Sequence, residues 1–356
     1  MRIANALNRS VRGLPLFIAV ALAACLSAPA SAQSLPSQPV PVAPPPLLVS
    51  PGPAGPPPAT ELTPPPPPLP APSALDVPAP LPNHDTLLDT PTASPGWFGA
   101  LEVGILNPHL KNNLSGNVPF GDLGSDTVQL PTAGLAWVAA PRFELGYRFS
   151  DGYGDVVFSY RTFSTRGHAD IPDYDVLGDG LLTSRLDLDV FDLDWATPTI
   201  SLGRYADLKA RLGVRLADIF FDSQAVGQFL EQGTSNHFIG AGPHAGFDLW
   251  YHFNLPGLGL FARIDGALPI GNIHQGFEET FTFNDGSQVG SAATQNGTRL
   301  VETVRAQLGI GWAPPGTRLR LTTGYEYEYW WGIGHVGTSR AELFDQGAFF
   351  RAEFNF

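Results

Sequence analysis

The chain is nearly without cysteine and lysine: Cys25 stands alone, and Lys111 and Lys209 are the only lysines among 356 residues. A body without further thiols has no disulfide framework, no thiolate metal site and no catalytic cysteine. Positive charge is scarce as well, with 20 Lys and Arg against 33 Asp and Glu for a net charge of −13, which argues against nucleic acid as a partner. No apolar run reaches the roughly 18 residues of a membrane helix. Only 15% of the residues are charged, against about a quarter in soluble domains, so a typical soluble enzyme fits poorly. No Gly-rich phosphate loop follows a strand and opens a helix, and no Ser-His-Asp arrangement can be read from spacing. No enzyme class, cofactor or metal is therefore expected.

What is present is unevenly spread. Between Gln33 and Pro95 lie 23 of the 36 prolines, whereas 36 of the 39 glycines, every Trp and Tyr, and every Phe except Phe17 lie from Gly96 onward. Only the second region can build a core. Ahead of both, Arg2, Arg9 and Arg12, the apolar stretch Leu14 to Ala24, and Ala30-Ser31-Ala32 before Gln33 read as a secretory signal peptide over residues 1–32. Leu22-Ala23-Ala24-Cys25 resembles a lipoprotein lipobox and offers a rival cut, which would leave a lipid on Cys25. Residues 33–95, with no aromatic to seed a core, predict a disordered Pro-rich segment. At about 3.1 Å per residue its polyproline II form reaches on the order of 190 Å, as a periplasmic tether would. The tether is either a plain spacer or a ligand for cell-wall material.

From Gly96 onward the periodicity is two. Phe143, Leu145, Tyr147 and Phe149 alternate with Arg142, Glu144 and Arg148, and Leu319, Leu321, Thr323, Tyr325, Tyr327 and Tyr329 alternate with Arg320, Thr322, Gly324, Glu326 and Glu328. Alternation over about 11 residues is the mark of a tilted membrane strand. About ten such segments (8 or 12 possible) fall near 97–106, 132–149, 155–166, 185–202, 207–224, 237–252, 258–276, 298–312, 317–331 and 341–356. Short turns at Ser150 to Gly154, Gly203 to Ala206, Phe253 to Gly257 and Ala313 to Gly316 alternate with longer polar stretches near 107–131, 167–184, 225–236, 277–297 and 332–340. Residues 96–356 thus predict an all-β, transmembrane, antiparallel up-and-down barrel in the outer membrane, its partner the lipid bilayer and both its ends periplasmic.

Two aromatic girdles are expected. Trp97, Tyr147, Phe149, Trp250, Tyr251, Trp312, Phe354 and Phe356 would gather at the short-turn end. Tyr327, Tyr329, Trp330, Trp331, Phe163, Phe220, Phe221, Phe238 and Phe277 would gather at the long-loop end. One strand breaks phase: Leu186, Leu188 and Val190 share a face, and then Phe191, Leu193 and Trp195 become the apolar set. A β-bulge near Val190-Phe191 would keep Asp187, Asp189, Asp192 and Asp194 all inside.

Alternation places a candidate pore lining on the inner face. It comprises Glu102, Arg142, Glu144, Arg148, Arg161, Asp187, Asp189, Lys209, Arg211 and Arg215 in the first half of the barrel. The second half adds Asp248, Arg263, Asp265, Arg305, Arg320, Glu326, Glu328, Arg351 and Glu353. Two readings stand open: a selectivity-setting pore wall, or ion pairs that fill a narrow lumen because buried charge must be paired. Small barrels are filled by their own side chains, so a narrow pore or a closed structural barrel is expected rather than a wide one. His237, His274 and His335 with Glu278, Glu279 or Asp345 would be the residues of an omptin-like catalytic mouth, but their spacing is scattered. His244 reads as a hydrogen-bonding residue of the lumen, and Asn284-Asp285-Gly286 and Gly178-Asp179-Gly180 as turns rather than calcium loops. A surface receptor or adhesin displaying long outer loops is the alternative function.

Trp97-Phe98-Gly99-Ala100-Leu101-Glu102, Leu186 to Asp194, Gly240-Ala241-Gly242-Pro243-His244-Ala245-Gly246, Phe261 to Gly271, Gly324-Tyr325-Glu326-Tyr327-Glu328-Tyr329-Trp330 and Gln346 to Phe356 together carry a resemblance. They look like the Legionella major outer membrane protein family, whose relatives with Pro-rich leaders occur in planctomycete-type genomes. The resemblance covers roughly 96–356 and implies an outer-membrane, pore-forming barrel with no catalytic motif. Phe354 and Phe356 on a terminal alternating strand are similar to the signal read by the outer-membrane insertion machinery. The absence of cysteine in the mature body departs from a disulfide-linked porin.

Overall fold

The computed structural model describes residues 95–356, except 122, 123, 176 and 177. The leader and all of the tether but Pro95 lie outside the described residues. Sixteen strands follow in order. The first group is β1 (Gly96–Leu106), β2 (His109–Asn113), β3 (Gly116–Pro119), β4 (Ser125–Val128), β5 (Val138–Arg148), β6 (Asp155–Asp175), β7 (Gly178–Ala196) and β8 (Ile200–Ser201). The second is β9 (Ala206–Val226), β10 (Leu230–His252), β11 (Leu258–Ala267), β12 (Ile270–Thr282), β13 (Gln288–Leu300), β14 (Glu302–Trp312), β15 (Leu319–Trp331) and β16 (Arg340–Asn355).

Ten of them close a ring, β1-β5-β6-β7-β9-β10-β11-β14-β15-β16, with β16 returning to pair antiparallel with β1. All neighbours are antiparallel, and closure leaves no edge in the belt where lipid would meet unpaired backbone. The expected short turns join the strands at one end. At the other end the expected long loops are mostly strand. β6, β7, β9 and β10 run 21, 19, 21 and 23 residues, where about ten suffice to cross an apolar band. At roughly 3.3 Å per residue and a tilt near 40°, a 23-residue strand stands on the order of 58 Å tall, about 30 Å more than the band. This excess forms a crown.

In the crown the ring is rearranged. β10 pairs with β11 through His244–His252 but with β12 through Leu230–Ala241, so the β12–β13 hairpin extends the wall beyond Pro269. β2 continues the line of β1 along β16. The segment 114–137, carrying the β3–β4 hairpin, turns into the crown instead of reaching out into solvent. Leu114, Val118 and Val128 are buried there in one cluster with Phe163, Ile219, Phe238, Phe277 and Trp330, and Leu130 in a second with Ala133, Leu182 and Ala225. Gly116 permits this closeness, since a Cβ on it would lie 2.3 Å from the Phe277 ring.

The bulge expected near Val190-Phe191 is not formed. β7 pairs residue for residue with β9 from Leu181 to Ala196 and with β6 from Leu181 to Ala196. The phase break is real, and its cause is the surroundings. In the lower part of β7, Leu193 and Trp195 face out and Asp192 and Asp194 face in; above, Leu186, Leu188 and Val190 face in and Asp187 and Asp189 face out. β9 does the same. Leu212 and Val214 point outward opposite Arg211 and Arg215, and then Asp218 and Asp222 point outward opposite Ile219 and Phe221. Strict period two persists while the outer medium changes from lipid to water, so the apolar face changes sides.

The aromatic expectation needs the same correction. Trp97, Phe149, Tyr251, Trp312, Phe354 and Phe356 are exposed on the outer wall at the short-turn end, but Trp250 is buried inside. At the crown boundary Tyr327 and Trp331 face outward, whereas Phe163, Phe221, Phe238, Phe277 and Trp330 are fully or almost fully buried and form the crown's core.

Candidate functional site

The interior of the membrane belt is the site at which sequence reasoning aimed, and it is filled by charge. Of the nineteen candidates, seventeen point inward from their strands: Glu102, Arg142, Glu144, Arg148, Arg161, Lys209, Arg211, Arg215, Asp248, Arg263, Asp265, Arg305, Arg320, Glu326, Glu328, Arg351 and Glu353. Asp187 and Asp189 do not. They stand on the outer wall of the crown, where Asp187 accepts from Ser164 Oγ at 2.5 Å and pairs with Arg185, and Asp189 accepts from the Tyr160 hydroxyl at 2.7 Å.

Antiparallel register explains how the network assembles. Neighbouring strands place inward residues side by side: Glu102 beside Arg142 and Arg351, Arg305 beside Glu328, Asp192 beside Arg215, and Asp248 beside both Lys209 and Arg263. Cross-strand opposite charges then add contacts across the lumen. Arg215, 1% exposed, is the hub. Its Nε donates to Asp192 at 2.7 Å, its Nη2 to Asp265 at 3.1 Å, and its guanidinium lies over the Trp330 ring. Arg305 reaches Glu326 at 3.1 Å and Glu102 at 2.8 Å; Arg351 reaches Glu144 at 2.6 Å; Arg161 bonds Glu328. His244 sits within 2.7 Å of Asp194 and 3.2 Å of Arg215, a hydrogen-bonding member of the lumen.

The inward candidates left out Asp155, Asp207, Gln307 and, named only for a catalytic mouth, Asp345, all buried inside. Asp155 shares parity with Arg161 on β6 and was within reach of the alternation rule; it holds Arg148 at 3.2 Å and Lys209 at 2.5 Å. Asp345 shares parity with Arg351 and Glu353 on β16 and was equally within reach of the alternation rule, although its neighbours Leu343 and Gly347 are uncharged. Both of its carboxylate oxygens lack a hydrogen-bond partner among the described residues.

Above this charged layer stands the buried apolar core of the crown. Residues 332–339 bridge the crown wall between β13 and β15, held where Asn236 donates to the Ile333 carbonyl and Gln275 to the Gly334 carbonyl, each at 3.0 Å. The segment before β5 bridges another gap, with Ala136 N donating to the Arg166 carbonyl and Leu135 bridged to Gly167.

The groups proposed for a catalytic mouth do not meet. His237 is outside the crown on Asp218, its pKa raised by that hydrogen bond, while His274 bonds Asn296, and His335 is lowered by burial and by Arg340 and Arg299. Glu279 faces inward with Gln232, and its pKa is raised by burial. Among the described residues no cluster of three or more His, Cys, Asp or Glu is placed to hold a metal. Asp285 caps its own turn through Ser287, as the turn reading required.

Among curated proteins nothing matches the chain. Solved structures with a similar course include the Pseudomonas putida toluene transporter TodX, at 8% identity, covering 77% of this chain and 94% of that one with a TM-score of 0.24. Neisserial surface protein A follows at 16% identity, 73% and 97% coverage and a TM-score of 0.22. Ail, the attachment invasion locus protein of Yersinia pestis, stands at 10% identity, 72% and 99% coverage and a TM-score of 0.21. Superpositions this loose say nothing about function. The sequence itself is more telling, because the family model described as Legionella pneumophila major outer membrane protein precursor matches residues 91–344, which span nearly the whole described barrel. With an apolar belt, a closed ring of ten strands and a match over most of its length, the chain belongs to the Legionella major outer membrane protein family and is an outer-membrane β-barrel.

Proposed function

We propose that the protein is a closed, non-catalytic structural barrel of the outer membrane, with its short-turn end and both barrel ends in the periplasm and its crown at the cell surface. One observation carries this reading: above the ion pairs of the belt, a buried apolar core around the inturned segment 114–137 lies across the lumen in the crown. A conducting pore needs a continuous polar path, and the crown core of Leu114, Val118, Phe238, Phe277 and Trp330 interrupts one. The orientation is supported by the short turns, which outer-membrane barrels keep on the periplasmic side. In this reading residues 33–95 run from the barrel toward the cell wall.

The test is single-channel recording of the refolded full chain in a planar bilayer, its folding verified by heat-modifiable gel mobility. No discrete steps are expected. Reproducible steps whose ion preference changes in Arg211→Glu or Arg215→Glu would overturn the closed-barrel reading in favour of a narrow pore. A second reading, surface recognition, is favoured by the crown itself, whose outer wall of Asp187, Asp218, Asp222, Glu231 and His237 stands well clear of the belt. Binding of intact cells or matrix proteins to the displayed crown, lost when this wall is neutralised, is the observation that separates it.

A further inference from the structure

At the top of the belt one buried acid stands apart from the ion pairs around it. Asp345 on β16 is 0% exposed, and neither of its carboxylate oxygens has a hydrogen bond or an ion pair among the described residues. Register sets Glu328, 1% exposed, directly opposite it across β15 and β16, where Cβ atoms stand roughly 4.5–5.5 Å apart. The next inward pair above is Trp330 and Leu343, both members of the crown core, and the pair below is Glu326 and Gly347. On the other flank of β16 the chain passes from β1 to β2 through Asn107 and Pro108, which carry no charge. The charged groups that face Asp345 are Glu328 and Glu326 from β15, Arg305 from β14 and Arg161 from β6. Both arginines are committed to other acids. Arg161 bonds Glu328 and reaches Glu326 at 3.5 Å, while Arg305 lies 3.1 Å from Glu326 and 2.8 Å from Glu102.

A carboxylate cut off from water and from every donor is among the costliest groups to bury, and such a group takes up a proton instead. A second carboxylate directly opposite adds like-charge repulsion. Protonation removes both penalties, because it turns Asp345 from an acceptor without a donor into a donor beside the acceptor oxygens of Glu328. A metal ion is a poorer occupant, since among the described residues no three His, Cys, Asp or Glu side chains converge to hold one.

We propose that Asp345 and Glu328 form a proton-binding latch between belt and crown, in which Asp345 is an un-ionised acid that donates to the Glu328 carboxylate. When the Oδ–H bond of Asp345 breaks, its proton passes to solvent and the electron pair stays on the oxygen. Two anions then face each other across β15 and β16, one inward pair below Trp330 and Leu343, and the crown core above them loosens. The latch holds at acid and neutral pH and is lost as pH rises, because the proton binds more tightly in the closed site than in an opened, hydrated one. The loosening of the crown rests on the closed-barrel reading given above. The proton does not, and a barrel that conducts in a bilayer leaves it standing.

The experiment is infrared difference spectroscopy of the refolded full chain, unmodified against Asp345→Asn, titrated from neutral to alkaline pH. The unmodified protein is expected to show the carbonyl stretch of an un-ionised carboxylic acid, shifted in heavy water, bleached at alkaline pH and absent from Asp345→Asn. Glu328→Gln removes the facing charge and should weaken proton binding at Asp345 by about tenfold or more, moving the bleaching down by about one pH unit or more. It also serves as the second variant where Asp345→Asn does not fold. Hydrogen exchange of residues 327–331 and 341–346, corrected for the intrinsic rate, reads the latch itself. Protection should fall by up to about tenfold per pH unit in the unmodified protein, the signature of a single proton, and lose that dependence in Asp345→Asn. No un-ionised band in the unmodified protein, or a band unchanged in both folded variants, overturns the proton assignment. Protection that follows added sodium or calcium rather than pH overturns it in favour of a bound cation. A band that behaves as expected beside protection that is flat with pH overturns the latch.

Discussion

At the scale of single residues the informative positions are buried polar groups whose partners are incomplete. Glu279 points into the crown, where Gln232 Nε2 donates to one carboxylate oxygen at 2.8 Å and the other oxygen has no partner among the described residues. Burial raises its pKa, and the charge of Asp126 on the plug hairpin adds to the effect. A raised carboxyl pKa in the folded state means that the folded crown binds a proton more tightly than the unfolded chain does. Its contribution is fully present below the ordinary Glu range and is lost as pH rises through the folded value. Glu279→Gln should therefore stabilise the crown at neutral pH and flatten this part of the pH dependence, read by hydrogen exchange of residues 114–130 between pH 4 and 8. An unchanged profile would show that the carboxyl is already ionised and solvated. Alternation makes Glu279 legible as an inward residue only if the crown is known to exist; from the sequence it looked like part of a polar loop.

Among elements the decisive ones are the plug hairpin and the strands that change their apolar face. The segment 107–131 reads as an outer loop because it is rich in Gly, Asn and Asp, yet Leu114, Val118 and Val128 alternate with polar residues and bury themselves against the wall. Placing Leu at Gly116 drives a side chain into Phe277, whose ring lies 2.3 Å from the Cβ position. Gly116→Leu is expected to loosen the plug by about 1–3 kcal/mol, the usual cost of overpacking. Faster proteolytic nicking within 114–130, with unchanged barrel gel mobility, is the measurement. In β7 the alternation was legible residue by residue, but its meaning was not. Two apolar sets of opposite parity admit either a bulge or a change of medium, and only the height of the strand beside its neighbours decides between them. Asp187 and Asp189, expected inside, stand outside for that reason.

Across the whole molecule, Arg215 ties distant parts of the ring together, joining β7 through Asp192, β11 through Asp265 and β15 through Glu328 and Trp330. Arg215→Met leaves Asp192 and Asp265 buried without that guanidinium, and truncating one partner of a buried network costs about 3–5 kcal/mol. The urea midpoint of heat-modifiable gel mobility should fall accordingly. A neutral result would mean that water already screens the hub, and it would favour a wetter lumen than the side-chain packing shows. Above the hub the crown is built as a water-soluble barrel is, apolar inside and polar outside; below it the belt is inverted. The two halves share the same strands and differ only in what surrounds them.

The sequence by itself determined the antiparallel barrel, a count of about ten spanning strands, its short turns and the inward direction of most of its charges. Period-two alternation is a local property, and each strand states it without reference to the others. Tertiary structure alone decided that the polar stretches rise as a crown, that segment 114–137 folds inward, and that Asp187 and Asp189 face water. It also decided which cations share which carboxylates. Those outcomes depend on the height at which a residue stands and on which strands meet across the lumen, and neither quantity is written in any one strand's own pattern.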